Sequence, residues 1–191
     1  ASSRDETYET AIEELRSRQL EAVRELLTEE AQANVVGEIE KDFEDIRDVL
    51  RALWLLQSQP AHALDLISGY GELWSAQLLA THLRDRGVRA VWLDARDVLL
   101  VEPNPGKGAP FVRWEDALTN LKRWLSTDDR DEADVIVITG FVARSIDGIP
   151  TTLGRNGSDF SASIFASLLE AEVIKIWTDV DGVMSANPRQ V

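Results

Sequence analysis

The segment Asp134-Val135-Ile136-Val137-Ile138-Thr139-Gly140 decides the fold class of this chain. Its central run is short, consists mostly of β-branched residues and is bounded by an acid and a glycine, which is typical of a strand buried on both faces of a sheet. Runs of similar character cover 88–93 and 173–177. Helical patterns separate these runs, and helices alternating with buried strands predict an α/β protein. We therefore expect a three-layer αβα sandwich around a largely parallel sheet.

Amphipathic patterns predict where the helices lie. In the first third of the chain, apolar residues recur at helical spacing in two stretches, and glycine is absent before Gly37, which favours long helices. These apolar positions are Ile12, Leu15, Val23, Leu26 and Leu27 in the first stretch, and Ile39, Phe43, Ile46, Val49, Leu50, Leu53 and Trp54 in the second. Further helices are predicted over 73–86, 114–125 and 158–171, with loops over 103–108 and 141–157.

Composition restricts the classes of protein to which the chain can belong. Its 191 residues are 44% apolar and 28% charged, which predicts one globular domain, with a helical part over 1–60 and an α/β part over 61–191. No long apolar run predicts a membrane span and no export segment is visible, so we expect a cytoplasmic protein. The absence of cysteine excludes disulfides and thiolate metal sites. The net charge of −14 argues against a nucleic-acid surface.

The first candidate site is the stretch Thr151-Thr152-Leu153-Gly154-Arg155-Asn156-Gly157-Ser158-Asp159. We predict that Ser158 caps a helix there and that Asp159 lies in its first turn. Exposed N–H groups at a helix start favour an anion, and the guanidinium of Arg155 can hold a carboxylate or a phosphate with two hydrogen bonds. The alternative is a capped turn with a surface arginine.

The second candidate site follows the last predicted strand, in Ile176-Trp177-Thr178-Asp179-Val180-Asp181-Gly182-Val183-Met184. Acidic residues at the carboxyl end of a parallel strand lie where α/β sheets place ligands. Asp179 and Asp181 could orient hydrated Mg²⁺. The same residues could equally form a turn without any ligand.

Together the two loops resemble the paired signature of aspartate kinases, which belong to the amino-acid kinase (carbamate kinase-like) fold family. The resemblance is carried by 153–159, by 176–183 and by Asn187-Pro188-Arg189, with Gly71-Glu72 and Thr139-Gly140-Phe141 matching two further motifs. It is continuous in order from Glu72 to Val191. The amino-acid sequences of these motifs are most similar to those of enzymes fused to homoserine dehydrogenase. The resemblance therefore implies a fused second enzyme domain and a homo-oligomer.

The resemblance implies transfer of the γ-phosphoryl group of ATP to the side-chain carboxylate of L-aspartate. It implies catalytic roles for Arg155 and Asp159, with L-aspartate bound by Glu72, Phe141, Arg155, Gly157, Ser158 and Asp159. It implies a nucleotide site formed by Thr178, Asp179, Gly182, Val183, Met184 and Arg189. Mg²⁺ would enter with ATP, near Asp179, without a direct protein ligand. The acceptor carboxylate is ionised at neutral pH, so this reaction needs no general base.

Three departures from the family pattern leave a second hypothesis open. The family's Lys-Phe-Gly-Gly-Thr-Ser phosphate loop does not occur in the sequence, Met184 replaces the usual tyrosine, and Asn187 replaces the usual aspartate. We therefore expect little kinase activity from the 191-residue chain alone. The alternative is a non-catalytic nucleotide-binding or assembly module with the same fold.

Overall fold

The computed structural model describes residues 2–57, 60–104, 108–127 and 130–177. The two predicted N-terminal helices are confirmed as α1 (Ser2–Leu26) and α2 (Glu29–Leu56). They pack on each other through the buried residues Ile12, Leu20, Val23, Leu27, Val35, Ile39, Phe43 and Ile46. Leu15, Leu26 and Trp54, which we expected in the two stripes, are exposed instead. Burial of one apolar face thus explains both helices.

Helix α3 (Ala61–Asp85) begins well before the helical pattern predicted from Leu73. It continues through Gly69 and Gly71, although glycine costs about 1 kcal/mol in a helix interior. The reason at Gly69 is close packing, because a Cβ there would lie 3.0 Å from Cγ1 of Val142. Helix α3 contacts α2 on one side and strands of both sheets on the other, so it joins the helical part to the sheets.

The strands form two sheets. In the first, β1 (Ala90–Leu93) pairs in parallel with β4 (Val135–Ile138), in the register Ala90 to Val135 and Leu93 to Ile138. The second has the order β3-β2-β5-β6, formed by β2 (Leu100–Glu102), β3 (Phe111–Val112), β5 (Val142–Ser145) and β6 (Pro150–Thr152). The β2–β5 pair is parallel and the other two pairs are antiparallel. The α/β class is confirmed, although β4 is half-buried along its length rather than fully buried.

A 3₁₀ helix (Arg130–Glu132) and three further α-helices complete the described architecture. The α-helices are α4 (Ala95–Val98), α5 (Trp114–Leu125) and α6 (Gly157–Leu168). Helix α5 has the predicted bounds, and α6 begins one residue before and ends three residues before the predicted range. Helix α4 packs on β5 and α5, and α5 contacts α6. None of the helices in the described ranges is long and apolar enough to cross a membrane. The proposed division of the chain at residue 60 stays a prediction.

The predicted loop over 141–157 is wrong over much of its length, because β5 and β6 form an antiparallel hairpin there. Its turn contains Asp147-Gly148, with Gly148 at a φ of +81°, a conformation that glycine adopts without steric cost. An Asp-Gly pair between two short runs is a recognised hairpin signal. The sequence therefore contained the signal that our prediction missed.

The predicted strand over 173–177 is also wrong. These residues belong to neither sheet, and their side chains are exposed, with Trp177 at 91%. A strand is stabilised only when its N–H and C=O groups pair with a neighbouring strand, and no described residue offers that pairing to this segment. Apolar character alone was therefore an insufficient predictor here.

Candidate active site

The loop between β6 and α6 forms one wall of an open cavity of about 520 Å³. The cavity is lined by Asp65, Phe141, Thr152, Gly154, Arg155, Asn156, Gly157, Ser158 and Asp159. Buried Leu153 anchors the loop, and Gly154 (φ +75°) and Asn156 (φ 61°) turn its backbone into the helix. Our prediction that Ser158 caps α6 is wrong: the cap position is Asn156, while Asp159 lies in the first turn as expected. Asparagine tolerates the left-handed region better than most residues, so it suits that position.

A second loop, at the carboxyl end of β4, brings Phe141 to the same cavity. Thr139 is fully buried and its hydroxyl accepts a hydrogen bond from Nε1 of Trp92 at 2.9 Å. Phe141 has a φ of +69°, which a non-glycine residue adopts only at a steric cost. Its N–H donates to Oγ of Ser161 at 2.9 Å, and that hydroxyl donates to the carbonyl of Gly157 at 2.8 Å. Ser161 therefore connects the two loops.

Gly157 permits the close contact between these loops. A Cβ at this position would lie 2.7 Å from an edge carbon of the Phe141 ring and 3.2 Å from Cβ of Leu153. Real Cβ atoms are not found so close to an aromatic carbon, so a larger residue would push the loops apart. The glycine before Ser158 is thus explained by packing at the site.

Glu72 lies in an adjoining cavity rather than beside Arg155. This second cavity, of about 460 Å³, is lined by Glu72, Ile136, Ile138, Gly140, Ser158, Ser161, Ala162, Phe165, Ala166 and Leu169. Ser158 lines both cavities. The structure therefore gathers Phe141, Arg155, Gly157, Ser158 and Asp159 around one cavity and places Glu72 on the far side of Ser158.

The charged groups of the main cavity are available to a ligand. The side chains of Arg155 and Asp159 are exposed and form no hydrogen bond or ion pair with any part of the chain that the structure describes. Opposite them, the carboxylate of Asp65 on α3 accepts long hydrogen bonds from the hydroxyls of Thr151 and Thr152, at 3.4 and 3.3 Å. The guanidinium of Arg155 and the N-terminus of the twelve-residue helix α6 lie on the same wall of the cavity. This arrangement suits an anionic ligand group.

Sequence reasoning missed Asp65 and Ser161, whereas Thr152 and Asn156 stood in the first candidate stretch without an assigned role. Asn156-Gly157 carried a turn signal, but nothing near Asp65 indicates that α3 crosses β6. The six predicted nucleotide residues, Thr178, Asp179, Gly182, Val183, Met184 and Arg189, lie outside the described residues, as do Asp181 and Asn187. Within the described ranges, no cluster of three or more acidic or histidine side chains could hold a metal ion.

Residues 5–191 match the amino acid kinase family. The chain belongs to that family, and its fold is the amino-acid kinase fold. The chain is 40% identical over its whole length to the bifunctional aspartokinase/homoserine dehydrogenase 2, chloroplastic, of Zea mays, of which it covers 20%. It is 37% identical to the lysine-sensitive aspartokinase 3 of Escherichia coli K12 over 159 residues, which is 83% of this chain and 34% of that protein. The resemblance to aspartate kinases, including the fused type, is thereby confirmed.

Solved structures agree with this assignment. The crystal structure of E. coli aspartokinase III in complex with aspartate and ADP has a TM-score of 0.79 and 30% identity, and the match covers 94% of this chain and 38% of that one. An aspartate kinase of Clostridium acetobutylicum, at 23% identity and a TM-score of 0.68, shares the fold. The chain spans about a fifth of the length of the bifunctional relatives.

Proposed function

We propose that this chain forms the aspartate-binding part, and some of the ATP-binding part, of an aspartate kinase. The reaction transfers the γ-phosphoryl group of ATP to the side-chain carboxylate of L-aspartate. One observation carries the proposal: Arg155 and Asp159, which have no side-chain partner among the described residues, flank the N-terminus of α6 in an open cavity. That cavity lies in a fold whose solved relative is described as a complex with aspartate and ADP.

Each residue of the site has a role that follows from its chemistry. Arg155 binds a carboxylate of the substrate through two parallel N–H donors. Asp159 and Glu72 attract its ammonium group from the two cavities that meet at Ser158. Phe141 and Gly157 fix the shape of the pocket. Because the acceptor carboxylate is already ionised, these residues act by orientation and charge neutralisation rather than as a base.

The nucleotide side of the site rests on the sequence motifs alone. Thr178, Asp179, Gly182, Val183, Met184 and Arg189 are the residues we propose for it. Asp179 would lie near the Mg²⁺ that enters with ATP, and that ion would supply positive charge to the transferring group. Low activity of the isolated chain, assembly into a homo-oligomer, a fused second enzyme and a cytoplasmic location all stay predictions; the plant relatives are called chloroplastic.

A non-catalytic nucleotide-binding or assembly module is the second candidate. Asn187, which departs from the family pattern, and the Lys-Phe-Gly-Gly-Thr-Ser segment that this sequence does not contain favour it. Such a module would keep the fold and affinity for nucleotide while losing phosphoryl transfer. Phosphoryl transfer to aspartate, measured in a chain that includes a Lys-Phe-Gly-Gly-Thr-Ser segment upstream, separates the two candidates.

Arg155→Ala tests the proposed substrate site in such a longer enzyme. We expect KM for aspartate to rise at least about tenfold, since hydrogen bonds to a charged group contribute about 1.5–3 kcal/mol. KM for ATP should change little. Arg155→Lys should recover only part of the loss, because a point charge does not reproduce two parallel donors. Steady-state kinetics with each substrate varied in turn measures these changes.

Arg89→Ala is the matched control. Arg89 is an exposed arginine that pairs with Asp134 and lines neither cavity of the site. Its replacement should leave both KM values unchanged. A variant at Arg155 that loses ATP affinity and keeps aspartate affinity would show that the two substrate sites are assigned the wrong way round.

A further inference from the structure

A second, larger groove lies between α2 and α3, away from the proposed active site. Its volume is about 850 Å³, and it shares no lining residue with the cavities around Ser158. A hydrogen-bonded contact lies toward each end of the groove. At one end, the N–H and hydroxyl of Thr28 donate to the carboxylate of Asp85, both at 2.8 Å. At the other end, Nε1 of Trp74 donates to Asp42 at 2.7 Å. The groove is therefore formed before any ligand binds.

Gln77 on α3 lines this groove with an unused amide. The residue is only 9% exposed, and its side chain makes no hydrogen bond to any described residue. Its neighbour Thr81, also buried, accepts a hydrogen bond from Nη2 of Arg84 at 2.8 Å and so has a partner. No buried side-chain nitrogen or oxygen of the described residues lacks a hydrogen bond, so the unpaired amide of Gln77 is accessible from the groove, where it can bond to a ligand.

Gly37 on α2 opens the opposite wall. It lies in the interior of a 28-residue helix, and a Cβ at this position would meet nothing within 4 Å. Packing among the described residues therefore does not require glycine here, although glycine weakens a helix. Because Gly37 has no side chain, it leaves space in the groove that it lines.

The charges of the groove select the class of ligand. Its lining includes the bases Lys41 and Arg84 and the acids Glu30, Glu38 and Asp85. Neither Lys41 nor Arg84 forms an ion pair with the described residues, and Asp85 is engaged by Thr28. The acids would repel a polyanion, the bases would repel a polycation, and an apolar molecule would leave Gln77 without a partner. A molecule with one group of each sign satisfies all of these side chains.

We infer that the α2–α3 groove is a binding site for a small zwitterion, of which a free amino acid is the simplest. Lys41 and Arg84 take its carboxylate, Glu30 and Glu38 take its ammonium group, and the Gln77 amide bonds to a polar atom between them. The inference does not depend on the proposed kinase function, because the groove and the active site share no residue.

Nuclear magnetic resonance on the ¹⁵N-labelled 191-residue chain tests the site. The side-chain NH₂ signals of Gln77 are assigned by their loss in Gln77→Met, a variant of similar length that should fold. Each proteinogenic L-amino acid is then added singly at up to about 10 mM, a range that detects millimolar affinity. Acetate and ethylamine, which carry one charge each, are the reference probes.

We expect at least one amino acid to shift the Gln77 signals, with acetate and ethylamine producing no shift. Gln77→Met should weaken that binding roughly tenfold, and Gly37→Leu, which fills the open wall, should weaken it at least as much. Gln32→Met is the matched control, because Gln32 already donates to the carbonyl of Leu27 and does not line the groove. Arg155→Ala should leave binding in the groove unchanged.

Three results would overturn the inference. The first is the absence of any shift with every amino acid, which would mean that the groove holds only water. The second is an equal response to acetate, which would reduce the site to a general anion site. The third is loss of binding in Arg155→Ala but not in Gln77→Met, which would place the amino acid in the proposed active site instead.

Discussion

Helix α2 and the loop between β6 and α6 differ in the regularity of their backbone conformation. In α2, consecutive residues share one conformation, and the apolar stripe of Val35, Ile39 and Phe43 attaches the helix to the core. In the loop, Gly154 and Asn156 adopt left-handed conformations. Side chains in α2 therefore determine how stable the protein is, whereas side chains around the loop determine the shape of a cavity.

The same contrast appears in two helical glycines. Gly37 in α2 has free space where a side chain would be, and Gly157 at the start of α6 has Phe141 and Leu153 in contact distance. One glycine leaves space unused by the chain, and the other is required by packing at the candidate active site. Replacing each by alanine separates these two reasons for glycine.

The largest contrast is expected between Gly157→Ala and Gly37→Ala. The first should lower the free energy of unfolding by about 1–3 kcal/mol, because a methyl group at 2.7 Å from the Phe141 ring forces the loops apart. The second should raise it by about 0.5–1 kcal/mol through helix propensity. Urea unfolding of both variants measures the difference. Equal stabilities would mean that the contact between Phe141 and Gly157 relaxes without cost.

A second contrast concerns two serines of α6. Ser161 is 3% exposed and links Phe141 to Gly157, whereas Ser163 is exposed and only donates to the carbonyl of Asp159 at 3.0 Å. Ser161→Ala leaves the N–H of Phe141 unpaired, so we expect a loss of about 1–3 kcal/mol in the free energy of unfolding. Ser163→Ala should be neutral or slightly stabilising.

Measurements of aspartate binding show whether Ser161 determines the shape of the cavity or only the stability of the fold. In a longer enzyme that contains the phosphate loop, Ser161→Ala should also raise KM for aspartate, because Phe141 leaves its left-handed conformation. Assays at a temperature where both variants are fully folded remove the effect of stability. An unchanged KM in Ser161→Ala would show that this hydroxyl supports the fold and not the site.

The sequence predicted the regular elements well and the site's backbone poorly. Helix α5 follows from apolar periodicity and buries Ala117 and Leu121, and strand β4 follows from a continuous apolar run that the structure half-buries. Phe141 at a positive φ, by contrast, depends on Ser161, twenty residues later in the chain. No local pattern records such a contact, so the residue types of the site were predictable while their arrangement was not.

The two wrong predictions in the sheet region have different causes. The β5–β6 hairpin was missed although Asp147-Gly148 indicates its turn, because each strand is too short to show alternation. The segment 173–177 has the apolar residues of a strand but no partner among the described residues. A strand forms only by hydrogen bonding to a second strand, and the sequence of one segment does not say whether that second strand is present.

The smallest expected effect is a difference in the pH dependence of stability between Asp42 and Asp85, which lie toward the two ends of the α2–α3 groove. Burial raises the pKa of Asp42 above its ordinary value of 3.8, although the hydrogen bond from Trp74 opposes the rise. The hydrogen bonds from Thr28 lower the pKa of Asp85. A raised carboxyl pKa destabilises the folded state at neutral pH, and this penalty disappears as the pH falls through that pKa. A lowered pKa stabilises at neutral pH, and this contribution is lost as the pH falls through it.

Asp42→Asn and Asp85→Asn should therefore respond to acid with opposite signs. Asparagine keeps an acceptor for Trp74 or Thr28 but does not titrate, so each variant isolates one carboxyl group. Between about pH 7 and pH 3, we expect the Tm of the unmodified protein to rise relative to Asp42→Asn and to fall relative to Asp85→Asn. Thermal melting of the three proteins at matched ionic strength measures both differences. If both move in the same direction, the carboxyl groups at the two ends of the groove do not differ in burial as the structure indicates.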